Sequence, residues 1–193
     1  MNYQTNRLSI RPYQLDDYTS WLESFTARLP SRNRYDGGPI DKDRYPLTWF
    51  EKHIAKHQEL AAKDDTYHFG VFDNKELIHY GHVEIHIVKR ENYSWAWIGY
   101  YIHNQHQGNG YGPEAVRSVI KDIGFKELGL KRIEAIINTD NIASIRLTEK
   151  CGLHYECTKE KFIFEFGEWT DNHVYVILNE SKLTNEKSGS QIN

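Results

Sequence analysis

The sequence predicts a mixed α/β fold, a twisted sheet of about seven strands with helices on both faces. Three observations predict it. Strand-like runs between Thr66 and His103 are separated by short polar turns, which implies an antiparallel meander. At Gln107-Gly108-Asn109-Gly110-Tyr111-Gly112 the apolar period changes from that of a strand to that of a helix. Two further long strand-like runs, joined at Gly167, close the chain.

Taken in order, Arg7 to Arg11 alternates polar and apolar residues and reads as a strand that Pro12 ends or marks as an edge. Asp16 is placed to cap a helix whose Tyr18, Trp21, Leu22 and Phe25 fall on one face. Residues 27–46 carry no period. They hold three prolines, the Gly37-Gly38 pair and five basic side chains, so they form a long loop, either a lid or a plain surface excursion. Thr48 and Glu51 have capping-box spacing for a second helix, with Leu47, Phe50, Ile54 and Ala61 near one face. Strands are expected at Thr66 to Phe72, Leu77 to Val88 and Tyr93 to His103.

Beyond the glycine turn, Val116, Val119, Ile120 and Ile123 mark a helix from Pro113 to Glu127, ended by Gly129. Lys131 to Asn138 is rich in β-branched residues and reads as a strand. Asn141 is placed to cap a short helix that runs to Cys151, with Gly152 just past its end. Leu153 to Phe166 and Trp169 to Asn179 form the final hairpin. Residues 1–180 are expected to be a single domain and residues 181–193 a polar tail.

The chain has 193 residues, 39% hydrophobic and 26% charged, with a formal net charge of −3. That balance gives no overall pull toward DNA or a membrane. Two cysteines and no secretory leader pattern point to a reducing, cytoplasmic setting. No apolar run approaches the roughly 20 residues that span a bilayer. The aromatic content, 13%, is high. These side chains either fill a core or line a ligand cleft.

The glycine stretch carries the chemistry. Glycines at alternate positions let main-chain N–H groups approach a ligand, and the helix that follows adds free N–H groups and the positive end of its dipole. The 108–113 segment is therefore a candidate phosphate or pyrophosphate cradle. A Walker A loop is excluded, because Pro113-Glu114 follows the last glycine where Lys and Ser or Thr are needed. The G-x-G-x-G spacing does not fit a dinucleotide fingerprint. A plain structural turn remains an alternative.

Gln107-x-x-Gly110-x-Gly112 resembles the acetyl-CoA-binding motif of the GNAT N-acetyltransferases. Ile102 matches that family's apolar strand position. Asn141-x-x-Ser144, followed by Glu149-Lys150-x-Gly152-Leu153, resembles its second motif. Arg7-Leu8-x-Ile10-Arg11-Pro12 and Gly167-Glu168-Trp169-x-Asp171 resemble the two ends of the ribosomal-protein alanine acetyltransferase subfamily (RimJ/RimL-like). Residues 27–46 have no counterpart.

The resemblance implies an enzyme, an acetyl-CoA-dependent N-acetyltransferase in which a primary amine attacks the thioester directly in a ternary complex. Acetyl-CoA is the expected cosubstrate, and the acceptor a protein N-terminus or a small-molecule amine. Ile102, His103, Gln107, Gly108, Asn109, Gly110, Tyr111, Gly112 and Asn141 are the implied cofactor-binding residues. A main-chain N–H near Ile102 would polarise the thioester, beside a slot where that strand splays from its neighbour. The family's usual tyrosine acid falls at Thr148, so Ser144 is the candidate proton donor, alternatively just a residue of the first helical turn.

His82, Glu84 and His86 share one strand face. They read as a polar outer face, as a general base led by Glu84, or as a His-x-Glu-x-His metal site. No metal is expected. Asp171 and His173 are lesser candidates. Tyr100, Tyr101 and Trp97 either line the slot or fill the core. The acceptor pocket is expected from the 27–46 loop and the last hairpin, with a monomer or homodimer as the assembly. The competing reading is a non-catalytic acyl-CoA-binding module, motivated by Thr148 and the unassigned base. A nucleotide-phosphate binder is a third.

Overall fold

A computed structural model describes residues 1–75 and 77–180; the expected polar tail, 181–193, lies outside them. Among the described residues, eight strands hydrogen-bond in the order β1-β2-β3-β4-β5-β6-β8-β7. They are β1 (Tyr3–Gln4), β2 (Leu8–Arg11), β3 (Thr66–Asp73), β4 (His79–Lys89), β5 (Trp95–Ile102), β6 (Arg132–Asn138), β7 (His154–Glu165) and β8 (Glu168–Leu178). β5 and β6 run parallel, while β1 to β3, β3–β4, β6–β8 and β7–β8 are antiparallel. The helices are α1 (Tyr18–Thr26), α2 (Leu47–Ala62), α3 (Tyr111–Ser118) and α4 (Ile142–Lys150). The mixed sheet and the element order match expectation, apart from the two-residue β1, which is too short to show a period.

The chain divides into two compact units. The first comprises Met1–His86 and Gly99–Val119. Its core is aromatic: Tyr13, Trp21, Phe50, Ile54 and Phe72 are buried together, with Tyr18, Leu22, Phe25, Ile40, Tyr45 and Trp49 packed against them. α1 contributes Trp21, Leu22 and Phe25, and α2 contributes Trp49, Phe50 and Ile54. Residues one turn apart thus bury a single stripe of each helix.

The second unit comprises 87–98 and 120–180. Ile133, Ala135 and Ile137 of β6 are buried, as are Val174 and Val176 of β8 and Ile120, Ile123 and Leu130. The parallel ladder of β5 with β6 runs only from Trp95–Arg132 to Trp97–Glu134, although both strands continue.

Several local expectations fail for identifiable reasons. Asp16 caps nothing. A 3-10 turn at Leu15–Asp17 precedes α1, and Asp17 accepts from the Gln14 N–H and binds Arg11 through both oxygens, at 2.7 and 2.6 Å. The Thr48–Glu51 capping box does not form. Pro46 is the N-cap residue of α2, and its carbonyl accepts from Trp49 and Phe50 N–H. Leu47 consequently sits at the first helical position and is exposed. The helix after the glycine turn is α-helical only to Ser118, and Val119–Glu127 winds as a π-helix. All four apolar residues of its predicted face are nonetheless buried.

Candidate active site

The glycine turn lies in the first unit. Gly108 and Gly110 hold φ of +83° and +81°, a left-handed conformation that costs a residue with a Cβ about 1–2 kcal/mol. No atom lies within 4 Å of where a Cβ on Gly108 would stand, so φ and not crowding selects glycine there. Gly110 is the N-cap of α3, and the first helical bond runs from Glu114 N–H to its carbonyl. The N–H groups ahead of it, those of Tyr111 and Gly112, come before the first α-helical bond. Pro113 has no N–H, so the cradle expected from 108–113 ends at Gly112.

Side chains fix this turn. Gln107 Nε2 donates to Ile102 O at 2.9 Å, and Asn109 Nδ2 donates to His106 O at 3.1 Å. Arg7 donates through Nη1 to Asn109 O at 2.9 Å and through Nε to Glu114 at 2.7 Å, with its guanidinium 4.7 Å from the Tyr111 ring centroid. Burial would raise the Glu114 pKa, but the Thr5 hydroxyl and Arg7 outweigh it and hold the carboxyl below its usual range.

The 27–46 loop is stapled to the motif. Leu29 N–H donates to Asn104 Oδ1, and Asn104 Nδ2 donates back to Leu29 O, both at 2.8 Å. Arg32 donates to Gln107 Oε1 and pairs with Asp36 at 2.9 Å. Arg28 lies between the Phe25 and Tyr101 rings, 3.9 and 4.3 Å from their centroids. Two of the loop's basic residues are thus tied to other segments, Arg28 half-buried and Arg32 at the surface.

Arg28 also anchors a buried chain of hydrogen bonds. Its Nε donates to His103 Nδ1 at 2.8 Å, His103 Nε2 lies 3.0 Å from His79 Nδ1, and His79 Nε2 lies 2.9 Å from Tyr13 Oη. Arginine only donates. His103 therefore carries its hydrogen on Nε2 and gives it to His79, which gives its own to Tyr13. Burial pushes both imidazoles far below the ordinary histidine range, in keeping with neutral rings. His103 N–H donates to Tyr80 O at 2.9 Å. Ring and amide of His103 are thus both engaged within the fold, where the resemblance implies a cofactor contact. Nothing in the sequence flags this chain, because its members come from four distant segments.

Beside it lies a cavity of about 330 Å³. Trp21, Phe25, Ile40, Tyr45 and Trp49 form its apolar wall, and His53, His57, His68, His82 and Glu84 form its polar wall. The 27–46 loop supplies Ile40 and Tyr45 to it, and no residue of the last hairpin is among its lining residues. On the polar face of β4, His82 and Glu84 line this cavity, while the His86 side chain is 41% exposed. Glu84 Oε2 lies 3.0 Å from His68 Nδ1, and Oε1 lies 3.0 Å from His86 Nε2. Gly99 makes room for this carboxylate: a Cβ there would stand 2.7 Å from Glu84 Oε1. Burial would raise the Glu84 pKa, but the bonds to His68 and His86 prevail and hold it well below the carboxylate range. Among the described residues no three His, Cys, Asp or Glu side chains are arranged to hold a metal ion.

The second motif lies in the second unit. Asn141 caps α4 as expected, its Oδ1 accepting from Ser144 N–H at 3.2 Å. Ser144 is half-buried in the first turn, and Thr148 is fully buried. A buried threonine cannot stand in for an accessible tyrosine acid. Asp171 Oδ1 accepts from Lys161 N–H at 2.8 Å, and His173 Nδ1 lies 2.8 Å from Thr158 Oγ1.

Residues 7–154 match the Acetyltransferase (GNAT) domain family. The chain is a GNAT-family acetyltransferase. It is 39% identical to the probable N-acetyltransferase YjcK of Bacillus subtilis over 71% of this chain and 75% of that one. It is 37% identical to the uncharacterized N-acetyltransferase YnaD of the same organism over 93% and 98%. Mycobacterium smegmatis RimJ, solved in complex with CoA-disulfide, shares the GNAT fold with a TM-score of 0.73 at 21% identity, over 90% of this chain and 83% of that one. Among the described residues of this acetyltransferase, no helix is long and apolar enough to cross a membrane.

Proposed function

We propose that the protein transfers the acetyl group of acetyl-CoA to a primary amine, a protein N-terminus or a small molecule, by direct attack in a ternary complex. The observation that carries the reading is the glycine turn at the N-terminus of α3. Its side chains are tied back into the fold, so main-chain N–H groups remain to receive a pyrophosphate. The cofactor set is Ile102, Gln107, Gly108, Asn109, Gly110, Tyr111 and Gly112, with Asn141 from the second motif. Two free cysteines fit a reducing, cytoplasmic setting.

The amine enters the cavity lined by Trp21, Phe25, Tyr45 and Trp49, whose ring faces attract an ammonium and its apolar body. Glu84 belongs to the proton-accepting machinery at the polar end. Ser144, by resemblance, returns a proton to the leaving thiolate. The test combines calorimetry of CoA and ATP binding with mass spectrometry of acetylated products from N-terminal peptides and small amines. The reading predicts CoA binding, no competition from ATP, and acetylation of at least one amine class. CoA binding with no acetylated product from any amine contradicts it.

A further inference from the structure

Acetyl transfer needs a base for the acceptor's ammonium. Glu84 Oε1 and Oε2 already receive hydrogen bonds from two imidazoles. A carboxylate so stabilised is a weak proton acceptor. His68, on β3, pairs directly across the strands with Glu84 on β4. Its Nδ1 lies 3.0 Å from Glu84 Oε2. Since a carboxylate only accepts, Nδ1 carries the hydrogen and Nε2 keeps a lone pair. Among the described residues Nε2 makes no hydrogen bond. The ring stacks on His57 of α2, with centroids 3.8 Å apart and planes 13° apart. His68 also lines a second cavity, of about 300 Å³, which shares Tyr13, His57 and His68 with the first.

We propose that His68 is the group that takes the proton from the acceptor amine, with Glu84 as the carboxylate that positions its imidazole. The inference rests on the transferase reading above and specifies its base. The ammonium gives one proton to Nε2, leaving a neutral amine and an imidazolium whose Nδ1–H stays on Glu84. The amine lone pair attacks the thioester carbon, the C–S bond breaks, and the amine's second surplus proton goes to the thiolate. One proton per turnover remains on His68 and leaves to water, for which the second cavity offers an outlet.

The other groups around His68 are less suited. His86 Nε2 bonds Glu84, and its Nδ1 lies 3.2 Å from Thr66 Oγ1, which itself lies 2.7 Å from Asp65 Oδ1. If the threonine's one hydrogen goes to Asp65, both nitrogens of His86 donate and the ring is already a cation. Its pKa is accordingly raised, first by the Glu84 bond. Burial pushes His53 down to about 4 and His57 to about 3, and lowers His82. Tyr13, on the remaining side, is pushed up by burial.

The experiment measures kcat against pH, at saturating acetyl-CoA, for the unmodified enzyme, His68→Gln and Glu84→Gln. Two amines of different basicity separate the amine's own ionisation from the protein's. Acetyl-CoA affinity is measured separately for each variant. In His68→Gln, kcat falls about 100-fold or more, the acidic limb disappears and acetyl-CoA affinity is unchanged. In Glu84→Gln the loss is smaller and the acidic limb remains, because the imidazole that takes the proton is still present. A limb that survives His68→Gln and vanishes in Glu84→Gln overturns the assignment and makes the carboxylate the base.

If His68→Gln loses acetyl-CoA binding, the unmodified enzyme decides. An imidazole ionises with appreciable heat and a carboxylate with almost none, so the limb's midpoint must move with temperature. A fixed midpoint overturns the proposal. Absence of turnover by the unmodified protein is a different failure, that of the transferase reading itself.

Discussion

Arg28 sets the hydrogen positions of three residues that lie far from it in sequence. Its Nε–H fixes the His103 tautomer, which fixes that of His79, which leaves the Tyr13 oxygen as an acceptor. Lysine keeps the charge but lacks the planar donor that sits between Phe25 and Tyr101. Arg28→Lys is expected to lower stability by about 1–3 kcal/mol, because it leaves a buried imidazole nitrogen unsatisfied. Urea unfolding measures it, and a change within a few tenths of a kcal/mol contradicts the chain as described. At this scale the sequence was legible only where partners are close. Asn141 and Ser144 are three apart and form the expected cap. Thr48 and Glu51 have the same spacing and do not, because Pro46 caps the helix two residues before Thr48. Glu84 could be singled out from its strand face, but His68 could not, since only the β3–β4 register brings the two together.

Among the elements, the glycine turn is a loop held from outside. Arg7 bridges the Asn109 carbonyl and Glu114, and Arg32 bridges Gln107 and Asp36. Arg7→Ala should leave the fold in place and weaken acetyl-CoA binding, since it frees the turn without touching a core. Gly108→Ala should do the same by about 10-fold, the equivalent of roughly 1.4 kcal/mol of backbone strain at a left-handed residue with open space around it. Calorimetric titration with acetyl-CoA checks both, and unchanged affinities would remove the turn from the binding site. The helix after it was legible from apolar spacing, but its π-helical second half was not. Val116, Val119, Ile120 and Ile123 face the core in either winding. The 27–46 loop had no period to read, because it is held by side-chain bonds to Asn104, Gln107 and His103 and not by a ladder.

For the whole molecule, buried neutral histidines should govern the response to acid. Burial pushes His53 and His57 down to about 4 and about 3 in the fold, and His79 and His103 are pushed down as well. Unfolded, all four take up protons near 6.5. Their contribution is complete above that value and is lost as pH falls toward their folded values. His86, raised by Glu84, acts in the opposite direction, and Glu84 matters only below the ordinary carboxylate range. Tm should therefore fall steadily between about pH 6.5 and 4.5, before carboxylates protonate, and the fall should be shallower in His57→Gln. A Tm flat across that window contradicts this. The mixed sheet and the family were legible because their signals are local motifs in order along the chain. The cavity was not, because its walls combine helix, loop and strand residues that only folding brings together. The central claim is that the cradle and this cavity serve one reaction, and its most direct test is free-thiol release from acetyl-CoA across a panel of amines. The account predicts thiol release that depends on the amine, with one acetylated amine formed per thiol; tight acetyl-CoA binding without amine-dependent release would contradict it.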